Sequence, residues 1–152
     1  MAETTSPSRT VHDIVAHIRE ISTSNHQRGT LFENLMVAYL STDPTYANRF
    51  DKVWRWADWP DAPDRRDDGI DLVARTVEGG YCAIQCKFYE PQHTLRREDI
   101  DSFFTASGRA PFTERMIIST TDKWGFNAEK ALDQQVKVVC LGLADIADSP
   151  IE

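Results

Sequence analysis

Apolar side chains at Val11, Ile14, Val15, Ile18 and Ile21 return every three or four residues, the spacing of one face of an α-helix. Thr10 and Asp13 form the capping pair that would start this helix. After a break at residues 23–27, Arg28-Gly29-Thr30 opens a second helical pattern with Leu31, Phe32, Leu35, Met36, Tyr39 and Leu40 on its apolar face. Glu33 has Met36, Val37 and Leu40 as helical neighbours, so it lies along the margin of that face. Residues 41–52 read as a loop around Pro44, and Val53-Trp54-Arg55-Trp56 as a short strand.

The period then changes to two. Residues 69–75 and 81–88 predict two strands, and Gly79-Gly80 between them suits a hairpin. Along the second strand Ala83, Gln85 and Lys87 share one face, while Cys82, Ile84, Cys86 and Phe88 share the other. A loop from Tyr89 to Arg97 leads into a helix beginning near Glu98, with Ile100, Phe103 and Phe104 inward and Gly108 as its stop. Residues 115–120 predict a buried strand, 127–135 a short helix and 137–141 a last strand. The order ααβββαβαβ predicts an α/β fold of three layers, a central mixed sheet flanked by helices.

Composition narrows the class. With 152 residues, 41% hydrophobic and 27% charged, the chain has the makeup of one ordinary globular domain. The first ten residues hold no apolar signal segment, and no run approaches a membrane span, so no membrane partner is expected and the default location is cytoplasmic. Cys82, Cys86 and Cys140 lie in apolar runs without zinc-ligand spacing and read as reduced core thiols. The net charge of −7 excludes a chain that grips nucleic acid by an overall basic surface. Six aspartates fall between Asp58 and Asp71, and most of such a run is a solvated loop. His12, His17, His26 and His93 show no paired ligand spacing and read as surface or loop residues, and Trp54, Trp56, Trp59 and Trp124 read as packing residues before base-stacking ones.

Asp71 departs from this bland pattern. An antiparallel hairpin sets it beside Gln85 and Lys87, fourteen and sixteen residues on, and a charged Asp and Lys in half-buried strands are costly unless paired or liganded. The chemistry that suits them is phosphodiester hydrolysis. Mg²⁺, with Mn²⁺ as an alternative, takes hard oxygen ligands, and Asp71, the Gln85 carboxamide, the Cys86 backbone carbonyl and, through water, Glu33 supply them. One Asp and one Glu give a site charge of −2, which one such ion balances. Lys87 is placed to orient or deprotonate the attacking water and to stabilise charge on the phosphate. Arg96, Arg97 and Lys123, on loops expected to open near the site, are candidates for DNA phosphate contact.

These residues resemble the PD-(D/E)xK restriction-endonuclease-like superfamily, and within it the Mrr-like branch, whose second site strand carries Gln-x-Lys. The matching elements are Arg28-Gly29 with Phe32-Glu33, Asp68-Gly69-Ile70-Asp71-Leu72-Val73, and Ala83-Ile84-Gln85-Cys86-Lys87. The resemblance implies a restriction-endonuclease-like fold, a Mg²⁺-dependent endodeoxyribonuclease acting on double-stranded DNA, and Glu33, Asp71, Gln85 and Lys87 as its active site. The phrases GIDLVAR, AIQCKFYEP, DIDSFFTASG and LADIADSPIE further resemble the N-terminal nuclease module of large bacterial restriction proteins. That likeness implies a helicase, and as an option a methyltransferase, further along the same polypeptide. No phosphate-binding GxxxxGK[ST] loop is present, so ATP would act only through such a motor. The expected organisation is a helical extension over 1–26, the nuclease domain over 27–148 and the start of a linker at 149–152. The rival readings are a nuclease fold without catalysis, used for DNA binding or docking, and an unrelated α/β ligand-binding domain.

Overall fold

The computed structural model describes residues 9–60, 70–89, 93–96, 101–107, 112–121, 123–124, 138–146 and 150–151. The first helix, α1 (Val11–Ile21), follows a two-residue strand β1 (Arg9–Thr10) and starts with the predicted reciprocal cap between Thr10 and Asp13. The second, α2 (Asn25–Thr42), begins three residues earlier than Arg28, because the Ser24 side chain accepts the Gln27 N–H and so caps the orphan donors of the first turn. A short helix α3 (Pro44–Ala47) occupies the predicted loop, with Asp43 as its cap and Pro44 at its first position, where a missing N–H costs nothing.

The main sheet has five strands: β2 (Phe50–Arg55), β3 (Leu72–Thr76), β4 (Tyr81–Lys87), β6 (Phe112–Ser119) and β8 (Val138–Leu141), in the spatial order β2-β3-β4-β6-β8. The pairs β2–β3 and β3–β4 are antiparallel, and β4–β6 and β6–β8 are parallel. The sheet is therefore mixed, as expected, with β4 as the strand on which the two pairing modes meet. Two minor pairings join β5 (Thr94–Leu95) to β7 (Lys123–Trp124) and β1 to β9 (Pro150–Ile151). Among the described residues the remaining helices are α4 (Asp101–Ser107) and α5 (Leu143–Ile146). The helix expected at 127–135 lies outside the described residues.

Each face of the sheet carries its own core. Leu72, Ala74, Cys82, Ile84, Met116 and Ile118 face α1 and α2, whose Val15, Ile18, Phe32, Met36 and Leu40 are buried against them. Val73, Ala83 and Ile117 point the other way, toward Phe103 of α4 and toward Trp56 and Trp59 just after β2. Those two indoles pack on each other, and Trp59 also meets Tyr81 and Phe112, so the packing reading holds for both. The alternation predicted along β4 is the one observed. No helix among the described residues is long and apolar enough to cross a membrane.

The β3–β4 turn depends on glycine. Gly79 has a φ of +96° and donates its N–H to Thr76 O, a backbone conformation that costs a side-chain-bearing residue about 1–2 kcal/mol. Gly79→Ala is expected to destabilise the chain by about 1 kcal/mol, a fall of roughly 2–4 °C in Tm for a domain of this size, measured by calorimetry. A Cβ at Gly80 would stand 2.6 Å from Thr113 Oγ1, so Gly80→Ala forces the Thr113 hydroxyl aside.

Candidate active site

Asp71 was expected in mid-strand and instead stands one residue before β3. Its backbone is held on both sides, the N–H donating to Ile84 O and the carbonyl accepting from Trp56 N–H, each at 2.9 Å. Its carboxylate Oδ2 accepts the Cys86 N–H at 2.8 Å. A side-chain oxygen thus takes a strand donor next to the end of the β3–β4 ladder, which explains why regular pairing starts only at Leu72. Such a bond to an ionised acceptor is among the stronger kinds, and it fixes the carboxyl group at the mouth of the two strands.

Gln85 and Lys87 follow on β4 at the predicted parity. Gln85 is in register with Ile117, whose side chain belongs to the Trp56–Phe103 core, and only 3% of it is exposed. The Gln85 Oε1 atom is buried and accepts no hydrogen bond, although the residue is engaged by other interactions. Lys87 is half-buried at the strand's end, in register with Ser119, and its carbonyl accepts the Thr120 N–H at 3.1 Å.

Glu33 arrives from the opposite side of the sheet. It sits on α2 between Phe32 and Leu35, which are buried in the α1–α2 core, and its Oε1 accepts from Arg55 Nε and Nη2, both at 3.4 Å. The pair is 21% exposed at the acid and 32% at the base. Cys86 connects the group electrostatically. Burial pushes its thiol well above the ordinary range, the charges of Asp71 and then Glu33 push it further, and Lys87 opposes them. Asp71, Gln85 and Lys87 therefore lie at the same end of the β3–β4 pair, with Asp71 bonded to the Cys86 N–H, and Glu33 comes from the helix on the opposite face.

The three candidates for phosphate contact are less defined. Arg96 is exposed just after β5, Arg97 lies outside the described residues, and Lys123 is placed by the backbone pairing of β7 with Thr94. The surface reading of histidine fits His12, His17 and His26. His93 fits the loop half of that reading, just before β5, and its ring stacks on Tyr89 at 3.9 Å between centroids. Sequence reasoning also missed Arg55, the counter-ion of Glu33, and the buried Thr120 and Thr121 that pin the segment after β4. A polar Ser-Thr-Thr run ending an apolar strand was the visible signal for the threonines, whereas nothing local marks Arg55.

The donor set suits a hard divalent cation: two carboxylates of combined charge −2 and a buried amide oxygen beside them. Among the described residues no three His, Cys, Asp or Glu side chains form a metal-holding group. Such an ion would draw its remaining ligands from a backbone carbonyl and water.

A family model described as a restriction endonuclease, Mrr_cat_2, matches residues 41–152. The chain belongs to this family. Asp71, Gln85 and Lys87 fall inside the matched residues, and Glu33 precedes them. Among solved structures the chain is similar to "ATP-dependent Type ISP restriction-modification enzyme LlaBIII bound to DNA", with a TM-score of 0.76 and 32% identity over 93% of this chain and 8% of that one. It also shares the fold of "MspJI Restriction Endonuclease in Complex with 27-mer Oligonucleotide", at TM-score 0.56 and 15% identity over 96% of this chain and 34% of that one. The chain thus spans a small part of either protein. No curated protein matches it. The restriction-endonuclease-like, Mrr-like reading of the sequence stands.

Two measurements test the geometry without relying on activity. A double-mutant cycle on Glu33→Ala and Arg55→Ala is expected to give a coupling below about 1 kcal/mol, because both partners keep contact with solvent; chemical denaturation reads it. Burial also raises the Cys82 thiol, and pushes that of Cys140 up to about 11. With all three cysteines raised, thiolate is scarce at pH 8, and alkylation by iodoacetamide should quicken by about tenfold or more on unfolding.

Proposed function

We propose that the chain is the cleavage module of a metal-dependent DNA endonuclease, hydrolysing phosphodiester bonds of double-stranded DNA with Glu33, Asp71, Gln85 and Lys87. The observation that carries this reading is the Asp71 carboxylate bonded to the Cys86 N–H at 2.8 Å, which ties Asp71 to the strand that carries Gln85 and Lys87. Asp71, Gln85 and the Cys86 carbonyl would hold Mg²⁺ or Mn²⁺, with Glu33 bound through water. When bound, the cation supplies charge neutralisation at the phosphate and a more acidic water.

The chain's own groups do the rest. Water attacks phosphorus, its oxygen forming the new P–O bond as the bond to the leaving oxygen breaks; the water's proton passes to solvent and the leaving oxygen takes one up from solvent. Lys87 orients that water and donates to the phosphate oxygen on which charge accumulates. Asp71 cannot swing away without giving up its hydrogen bond to the Cys86 N–H, so its alignment is set before substrate arrives. Arg55 positions Glu33 through their ion pair. Arg96, Arg97 and Lys123 are proposed phosphate contacts flanking the site. Because a similar solved protein is titled an ATP-dependent restriction-modification enzyme bound to DNA, we extend the reading to a polypeptide in which residues 27–148 are the nuclease domain. Residues 1–26 would then be a helical extension and 149–152 the start of a linker. ATP would act through a helicase motor beyond this segment, with a methyltransferase as a further domain, and the working compartment would be the cytoplasm.

The expected outcome for Asp71→Ala or Lys87→Ala is a loss of about 10²–10³ in cleavage rate, with a smaller loss for Glu33→Ala. Nicking and linearisation of supercoiled plasmid with Mg²⁺ measure it, and chelation by EDTA should stop the reaction. An Asp71→Ala variant cutting at the wild-type rate would overturn the assignment, and a wild-type chain that never cuts would favour a docking role. Binding to duplex DNA at physiological salt should be weak, since a net charge of −7 repels a polyanion within the Debye length of about 8 Å; anisotropy on a labelled duplex reads it.

A further inference from the structure

A cleft of about 320 Å³ opens at the start of α2 and just past the end of β4, lined by Asn25, Arg28, Phe88, Tyr89 and His93. Its walls are built rather than incidental. Tyr89 is clamped by Thr120, whose hydroxyl both accepts the Tyr89 N–H and donates to the Tyr89 carbonyl at 2.7 Å. Arg19 Nη2 donates to the same carbonyl at 2.7 Å, and its guanidinium lies 4.6 Å over the Phe88 ring. The His93 backbone is tied to Thr121 Oγ1, and its ring stacks on Tyr89.

Into this cleft comes Arg28. It stands one helical turn before Phe32, whose ring meets Phe88 edge-on at 5.5 Å. Arg28 Nε is buried and without a hydrogen-bond partner, and Nη1 reaches only Asn25 Oδ1 at 3.3 Å. No carboxylate among the described residues pairs with it. A buried guanidinium N–H without an acceptor is costly, and a bidentate oxyanion is the ligand that a guanidinium fork fits.

The cleft's place in the chain says which oxyanion. Arg28 precedes Glu33 by five helical residues, about 7.5 Å of rise, and Tyr89 follows Lys87 by two extended residues, about 6.6 Å. The cleft is thus lined by the same helix that carries Glu33 and by the segment that leaves β4 directly after Lys87, along-chain intervals comparable to the axial length of two nucleotides of one strand. Resting on the nuclease reading above, we propose that this cleft binds a phosphodiester of the cleaved DNA strand, one or two nucleotides from the scissile bond. Arg28 grips its oxygens, and the Tyr89–His93 stack forms the wall beside the sugar.

The test measures affinity of the chain for an end-labelled duplex by anisotropy, in EDTA and across a salt series, so that no cleavage is required. Arg28→Ala is expected to weaken binding about tenfold and to lower the slope of log affinity against log salt by about 0.9, one phosphate contact. Arg28→Lys should keep the slope and lose part of the affinity, which separates lost contact from lost folding; a thermal melt accompanies each variant. Affinity and slope unchanged in Arg28→Ala would overturn the proposal. Inorganic phosphate should displace the duplex no better than sodium chloride of equal ionic strength, and displacement at micromolar phosphate would make this a free-phosphate site and also overturn it. The Arg28 result is independent of whether Asp71→Ala still cuts, so failure of the cleft and failure of the nuclease reading are distinguishable.

Discussion

The bond from the Cys86 N–H to the Asp71 carboxylate sets where the β3–β4 ladder stops and where the site begins. A backbone acceptor in that place would extend the strand pairing and turn the mouth into ordinary sheet. With a carboxylate there, a side-chain oxygen takes the strand N–H and the ladder ends. Everything around the site inherits its position from that choice: Gln85 and Lys87 flank residue 86 on the same strand, and the Trp56 N–H holds the Asp71 carbonyl from the β2 side. The segment after Lys87 leaves the sheet at a defined angle because Thr120 and Thr121 take hold of it.

Much of this was legible in the chain. The 3.6-residue period of α1 and α2 and the two-residue period of β4 reflect burial on one side, and burial is what sequence pattern records most directly. Gln85 and Lys87 were visible because polar side chains at inward parity break the pattern. The start of α2 and the true limits of β3 were not legible, since a cap at Ser24 and a side chain competing for a strand N–H are local hydrogen-bond choices with no periodic trace. Arg55 was invisible for another reason: its partner is on a helix 22 residues earlier, and only the tertiary fold brings them together. His93 lies in a loop, as the surface-or-loop reading had it, but its stack on Tyr89 was not legible, because a lone imidazole carries no signal until its neighbours are known.

Electrostatics in this chain are local. In an acidic molecule, the Arg19 guanidinium lies over the Phe88 ring, and Arg28 lines a cleft with Phe88, Tyr89 and His93. Charge of the overall sign discourages indiscriminate contact with polyanions, while the basic groups act at short range where screening is weakest.

The small ribbon of β1 and β9 has a mechanical meaning. The two strands are antiparallel, with Arg9 opposite Ile151 and Thr10 opposite Pro150, so the chain enters and leaves at the same end of the ribbon. Tension applied between those two points would open it as a zipper, one bond at a time, instead of shearing several bonds together. The ribbon is thus a weak link in series with the five-stranded sheet. It would yield first and leave the sheet's hydrogen bonds unloaded until it had parted.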